Sequence, residues 1–210
     1  MDDSVLPAFS WPIRPEDRPQ VFPARMQDIS PEWAWGDATG EGIRVGIVDS
    51  GIDAGHPLLE GMARGGVVVE RGAEGPVVSE EPHGDVFGHG TACAGIIHRI
   101  APRAELYSVR VLGQNLKGGG EALIEGVRWA IDQGMNVINL SLSTRKEEHM
   151  RVLHDLMDEA YFKGTVVVAS ANNSPVQSYP WHFSSVISVA SHAEPDPFTF
   201  YYNPNPPVEF

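Results

Sequence analysis

The chain has 210 residues, 42% of them apolar and 20% charged, and its 15 lysines and arginines stand against 28 aspartates and glutamates, a net charge of −13. These values fit one globular domain with a real core and exclude wholesale disorder. The acidic balance also argues against a nucleic-acid surface and against anionic membranes.

Residues 1 to about 30 predict a Pro-rich arm: Pro7, Pro12, Pro15, Pro19 and Pro23 forbid a long helix, while Phe9, Trp11, Val21 and Phe22 suit docking on a surface. The start, Met1-Asp2-Asp3-Ser4, lacks the basic region and apolar run of a secretory signal, and no apolar run approaches membrane-spanning length. The expected setting is therefore cytoplasmic. Ser30 is a suitable N-cap for a short helix whose first position would be Pro31.

From residue 31 to 210 the pattern is that of one domain. Ile43 to Val48 reads as a buried strand ending at Asp49, and Val67-Val68-Val69 as a short strand. The acidic stretch from Glu70 to Asp85 reads as a surface loop. A helix rich in small residues opens at His89, between Gly88 and Gly90. Ala104 to Leu112 is a strand, Gly118-Gly119-Gly120 a bend, and Leu123, Ile124, Val127, Ala130 and Ile131 fall at helical spacing. Val137 to Leu142 is a strand, Met150 to Tyr161 a helix ending near Gly164, and Thr165 to Ala169 and Val186 to Ala190 are two more strands. Near-continuous apolar strands alternating with amphipathic helices predict an α/β fold, a doubly wound and mostly parallel sheet with helices on both faces.

Ligands of such sheets gather at the C-terminal ends of the strands. Asp49, Ser141 and Asn172-Asn173 stand at such ends, and His89 opens a helix, so it can share that rim. A carboxylate that orients one ring nitrogen leaves the other free as a general base. An asparagine amide nearby could serve a developing oxyanion.

The segments Val45-Gly46-Ile47-Val48-Asp49-Ser50-Gly51-Ile52-Asp53 and Gly88-His89-Gly90-Thr91 resemble the aspartate and histidine motifs of the subtilisin-like serine proteases, the subtilases. Val111-Leu112-Gly113 with its glycine-rich bend, Asn136 to Leu142, Val166 to Asn173, and Ser185 to Ala190 resemble further family segments in the family's order, over about residues 33 to 192. The resemblance implies that Asp49 orients His89, that His89 is general base and then acid, and that Asn173 stabilises the oxyanion, with Asn172 as the fallback. It also implies that backbone at Leu116, Lys117 and Gly118, and at Ser141, Leu142 and Ser143, pairs with an extended peptide or protein substrate.

The sequence departs from that family in one decisive place. No Gly-Thr-Ser-x-Ala-x-Pro run bearing the nucleophile follows these segments, so the C-terminal part of the domain is expected to be missing and the isolated chain inactive. A natural peptide-binding module without catalysis is the alternative, and a second chain is one possible source of the serine segment. A third reading is a misfolded, inactive fragment, since loss of the helix carrying that serine would expose core surface. No cofactor and no metal are expected: Leu58-Leu59 follow His56-Pro57 where the family often has an aspartate ligand, and no ligand loop interrupts Arg99-Ile100-Ala101-Pro102. Ser143 replaces a common glycine, which is expected to narrow the pocket. Cys93, one turn beyond His89 and the only cysteine, is expected to pack beneath it, and no internal disulfide can form.

Overall fold

The computed structural model describes residues 30–59, 61–173, 176–193, 195–196, 199, 201–203 and 208–210. The chain divides into two units, Met1–Ala38 and Thr39–Phe210, each taken by itself. Of the first, the expected arm lies outside the described residues. The short helix α1, Pro31–Ala34, begins where predicted, and the Ser30 hydroxyl accepts from the Trp33 N–H at 3.2 Å.

The second unit is built on one seven-stranded sheet. Its strands are β1 (Arg44–Asp49), β2 (Ala63–Arg71), β3 (Pro76–Ser79), β4 (Glu105–Arg110), β5 (Val137–Leu140), β6 (Val166–Ser170) and β7 (Ile187–Val189). Their spatial order is β3-β2-β4-β1-β5-β6-β7, with every pairing parallel except β2–β3. The sheet is thus mostly parallel and doubly wound, and β1 is its middle strand. Among the described residues the α-helices of this unit are α2 (His89–Ile100), α3 (Gly120–Asp132) and α4 (Met150–Phe162). No helix among the described residues is long and apolar enough to cross a membrane.

The pleat sorts the core into two layers. Val48, Val109, Ile138, Leu140 and Val167 face α3 and α4 and pack on Leu123, Val127, Leu153 and Met157. Val45, Ile47 and Leu106 face the other way and pack under Ala94 of α2, with Ile52 and Leu59. In register with Val45 and Ile47, the side chains of Val137, Val166 and Ile187 share the α2 side. Val137 packs against the α2-side core, whereas Val166 is 43% and Ile187 38% exposed, so among the described residues the far half of this face is only partly covered.

Two expectations need correction. The first strand of the outer pair is longer than Val67–Val69, and the acidic stretch is not all loop, since Pro76–Ser79 forms β3. The connection is a tight turn in which the Gly72 N–H donates to the Gly75 carbonyl at 2.8 Å. Val77 and Val78 are both exposed on this edge strand, so no alternation of buried and exposed residues marked it in the sequence.

Candidate active site

Asp49 is the last residue of β1 and His89 the first of α2. They meet because α2 lies unusually close to the chain that follows β1. A Cβ built on Gly90 would fall 2.2 Å from the Gly51 carbonyl oxygen and 3.2 Å from the Asp49 Cβ, so only glycine fits there. Gly51 in turn has φ 108° and would place a Cβ 2.4 Å from the Gly84 carbonyl oxygen. These close approaches bring the imidazole over the carboxylate. His89 Nδ1 lies 2.9 Å from Asp49 Oδ1 and 2.8 Å from Oδ2.

The pair is asymmetric. The Asp49 side chain is fully buried and that of His89 is 40% exposed. An ionised carboxylate can only accept, so Nδ1 must carry the proton. A neutral His89 therefore has a bare Nε2, to which no described residue bonds. That leaves an unengaged ring nitrogen on a partly exposed side chain, the arrangement a general base requires.

Asp85 holds the loop that aims His89, a role the sequence reading missed. Its Oδ1 accepts from the N–H groups of Phe87 (2.9 Å) and Gly88 (2.8 Å) and from the Ser50 hydroxyl (2.8 Å). Its Oδ2 accepts from the N–H (2.8 Å) and hydroxyl (2.6 Å) of Thr91. Ser50 Oγ also accepts from the Gly90 N–H, and Thr91 Oγ1 from the Asp53 N–H. One carboxylate thus ties the end of β1 to the start of α2. The available signal was an aspartate two and three residues before the N–H groups it takes up, the Asx-turn spacing. It was hidden at the end of an acidic stretch.

Burial acts to raise the Asp85 pKa, but the hydrogen bonds from Thr91, Gly88 and Phe87 outweigh it and hold the carboxyl at about 2, against an ordinary 3.8. A carboxyl depressed on folding contributes stability that is present above its unfolded pKa, near 4, and lost as pH falls through about 2. Discounted for solvent screening, the contribution is about 1–2 kcal/mol. Asp85→Ala is expected to lower the melting temperature at pH 7 by several degrees and to flatten the loss of stability between about pH 4 and pH 2. Melts across that range, compared with the unsubstituted chain, test it; parallel acid limbs for the two proteins would refute the role.

Cys93 packs where expected, its Sγ 3.9 Å from His89 Nδ1 and 3.6 Å from the Ser141 hydroxyl. Burial pushes its thiol up, the Ser141 contact opposing and the charges of Asp49 and Asp85 adding. Asp49, His89 and Cys93 bring three ligand-type atoms within 4.8 Å of one another. The carboxylate and Nδ1 are already engaged with each other.

The remaining predicted residues flank this pair. β4 and β5 lie on either side of β1, so Val111 and Ser141 leave the sheet beside Asp49, with the Val111 N–H donating to the Asp49 carbonyl at 2.9 Å. Leu116 stands at φ 53°, inside a turn in which Gly113 and Lys117 are joined by a backbone bond, so its backbone is not extended. Among the described residues, the Gly118 N–H and C=O have no hydrogen-bond partner. On the other side, Ser141, Leu142 and Ser143 follow β5 outside any strand, and pairing resumes at Thr144 with Tyr179. Asn172 Nδ2 lies 3.5 Å from the Ser143 hydroxyl. Asn173 is exposed, three residues beyond the end of β6, on the same rim.

The model of the subtilase family (peptidase S8) matches residues 40–204. The chain belongs to the subtilase family, the subtilisin-like serine proteases. It is similar to the minor extracellular protease Epr of Bacillus subtilis strain 168, 32% identical over 88% of this chain and 29% of the relative. It is also similar to thermitase of Thermoactinomyces vulgaris, 35% identical over 81% of this chain and 62% of the relative. Among solved structures, a lanthipeptide protease superposes with a TM-score of 0.60 and 26% identity, over 72% of this chain and 49% of that one. This subtilase thus spans less than two thirds of the length of each.

Proposed function

We propose that this subtilase chain is the acid–base and peptide-binding portion of a subtilisin-type serine endopeptidase. The observation that carries the reading is the Asp49–His89 pair, with the carboxylate buried and Nε2 unengaged at the end of the middle strand. In the proposed reaction, Nε2 takes the proton of a serine hydroxyl as its oxygen bonds the scissile carbonyl carbon. Asn173 donates to the resulting oxyanion. The imidazolium, held by Asp49, returns the proton to the leaving amine, and water then releases the acyl group by the same route. The peptide lies between Gly118 and the Ser141–Ser143 segment, its backbone hydrogen-bonded to theirs.

The serine stands outside these 210 residues, joined to them or brought by a second chain. The partial exposure of Val166 and Ile187 supports this, because a helix seated over them would bury both. On its own the chain is then a peptide binder without turnover. The absence of a Gly-Thr-Ser motif supports a second reading as well, a binding module that never cleaves. Fluorophosphonate labelling with peptide mapping tests the placement of the nucleophile. The expected result is no adduct on any serine of the 210-residue chain and no hydrolysis of an extended peptide. An adduct on Ser141, Ser184 or Ser185, abolished by His89→Ala, would overturn it.

A further inference from the structure

The chain is strongly acidic, yet its cations are not evenly spread. Arg14, Arg18 and Arg25 fall in the first 29 residues, which leaves 15 − 3 = 12 lysines and arginines in the rest. Four of these, Arg71, Arg110, Lys117 and Lys146, line one cavity of about 710 Å³ between the end of β2, the segment after β4 and the start of α3. Gly118, whose backbone has no hydrogen-bond partner among the described residues, is part of the same wall.

Ion pairs already account for half of that charge. Arg110 bonds Glu70 at 2.8 Å and Lys146 bonds Glu148 at 3.2 Å. Arg71 and Lys117 have no carboxylate within ion-pair distance among the described residues. Of the carboxylates lining the cavity, Glu121 alone lacks a described cationic partner. The unpaired balance is two positive charges against one negative. Gly119 makes no side-chain cap to α3, so the N–H groups of its first turn add to the positive side. The cavity is far larger than one side chain, and the proposed peptide-pairing edge at Gly118 forms part of its wall.

We infer that this cavity is a subsite for an acidic residue of the bound peptide, its carboxylate held by Arg71 and Lys117 at the Gly118 end of the cleft. The inference rests on the reading of Gly118 as a peptide-pairing edge. It assigns the protein a preference for glutamate or aspartate at one peptide position away from His89, set by charge in an otherwise anionic protein.

Fluorescence anisotropy on the 210-residue chain tests it. The probes are fluorescein-labelled octapeptides of neutral sequence in which a single Glu is stepped along the chain, each paired with Gln at the same position. The expected result is that one position favours Glu over Gln by roughly 5-fold at low salt, the size of one or two exposed charge pairs. That ratio should fall toward 1 in 0.5 M NaCl and invert or vanish in Arg71→Glu, a change at the solvent-facing end of β2. Equal binding of Glu and Gln peptides at every position would overturn the subsite and leave the cleft reading standing. Failure of every peptide to bind would overturn both.

Discussion

Gly90→Ala is expected to destabilise the protein by about 3 kcal/mol or more and to pull His89 off Asp49. The added methyl would sit 2.2 Å from the Gly51 carbonyl oxygen and 3.2 Å from the Asp49 Cβ. Neither neighbour can retreat cheaply. Gly51 is itself wedged against the Gly84 backbone, and Asp49 is fixed in the middle strand. The helix must therefore shift away from β1, and the His89–Asp49 contact goes with it. The other glycine within α2 is the control. A Cβ at Gly95 would meet only Leu58, at 3.8 and 3.9 Å, which is ordinary contact. Gly95→Ala should be neutral or stabilising by up to about 1 kcal/mol, because alanine is the better helix former. Thermal or denaturant melts of the two variants decide the matter, and similar losses in both would mean that the close approach at Gly90 is not what holds the site.

Asp49→Asn is expected to have the largest effect on chemistry. In the enzyme with its serine in place, kcat should fall by about 10⁴-fold with little change in KM, the size such a change has in triad proteases generally. The reason is the tautomer. An amide can donate to Nδ1 as well as accept from it, so nothing forces the proton onto that nitrogen. Nε2 is then no longer reliably bare. The Ser50 N–H now bonds Asp49 Oδ1 at 2.7 Å and would find the amide oxygen in its place, so the fold should survive.

Much of this site was legible in the sequence. The mostly parallel sheet followed from apolar strands alternating with amphipathic helices, and Asp49 and His89 from their glycine-flanked motifs. Local pattern sufficed there because buried parallel strands and small-residue helices leave a strong signature. What stayed hidden depends on contacts distant in sequence or on side chains facing water. Asp85 looked like the last acid of a solvated stretch, and its importance lies in Ser50, 35 residues away. β3 pairs antiparallel with β2, with Val77 and Val78 turned to solvent. The resemblance assigns backbone at Leu116 to pairing with an extended peptide, and its left-handed conformation has no sequence signature at a leucine. The clustering of Arg71 with Lys117 comes from the return of β2 beside β4, which no motif foretells.

The proton on the His89 ring tests the central claim most directly, and ¹⁵N-histidine NMR of the 210-residue chain reads it without any need for turnover. At a pH where the imidazole is neutral, the His89 signals, identified by their loss in His89→Gln, should show Nδ1 protonated and Nε2 bare, and this state should be disturbed in Asp49→Asn. A His89 that carries its proton on Nε2 in the unsubstituted chain, as free histidine mostly does, would contradict the account, for it would leave Asp49 without its partner and the site without its base.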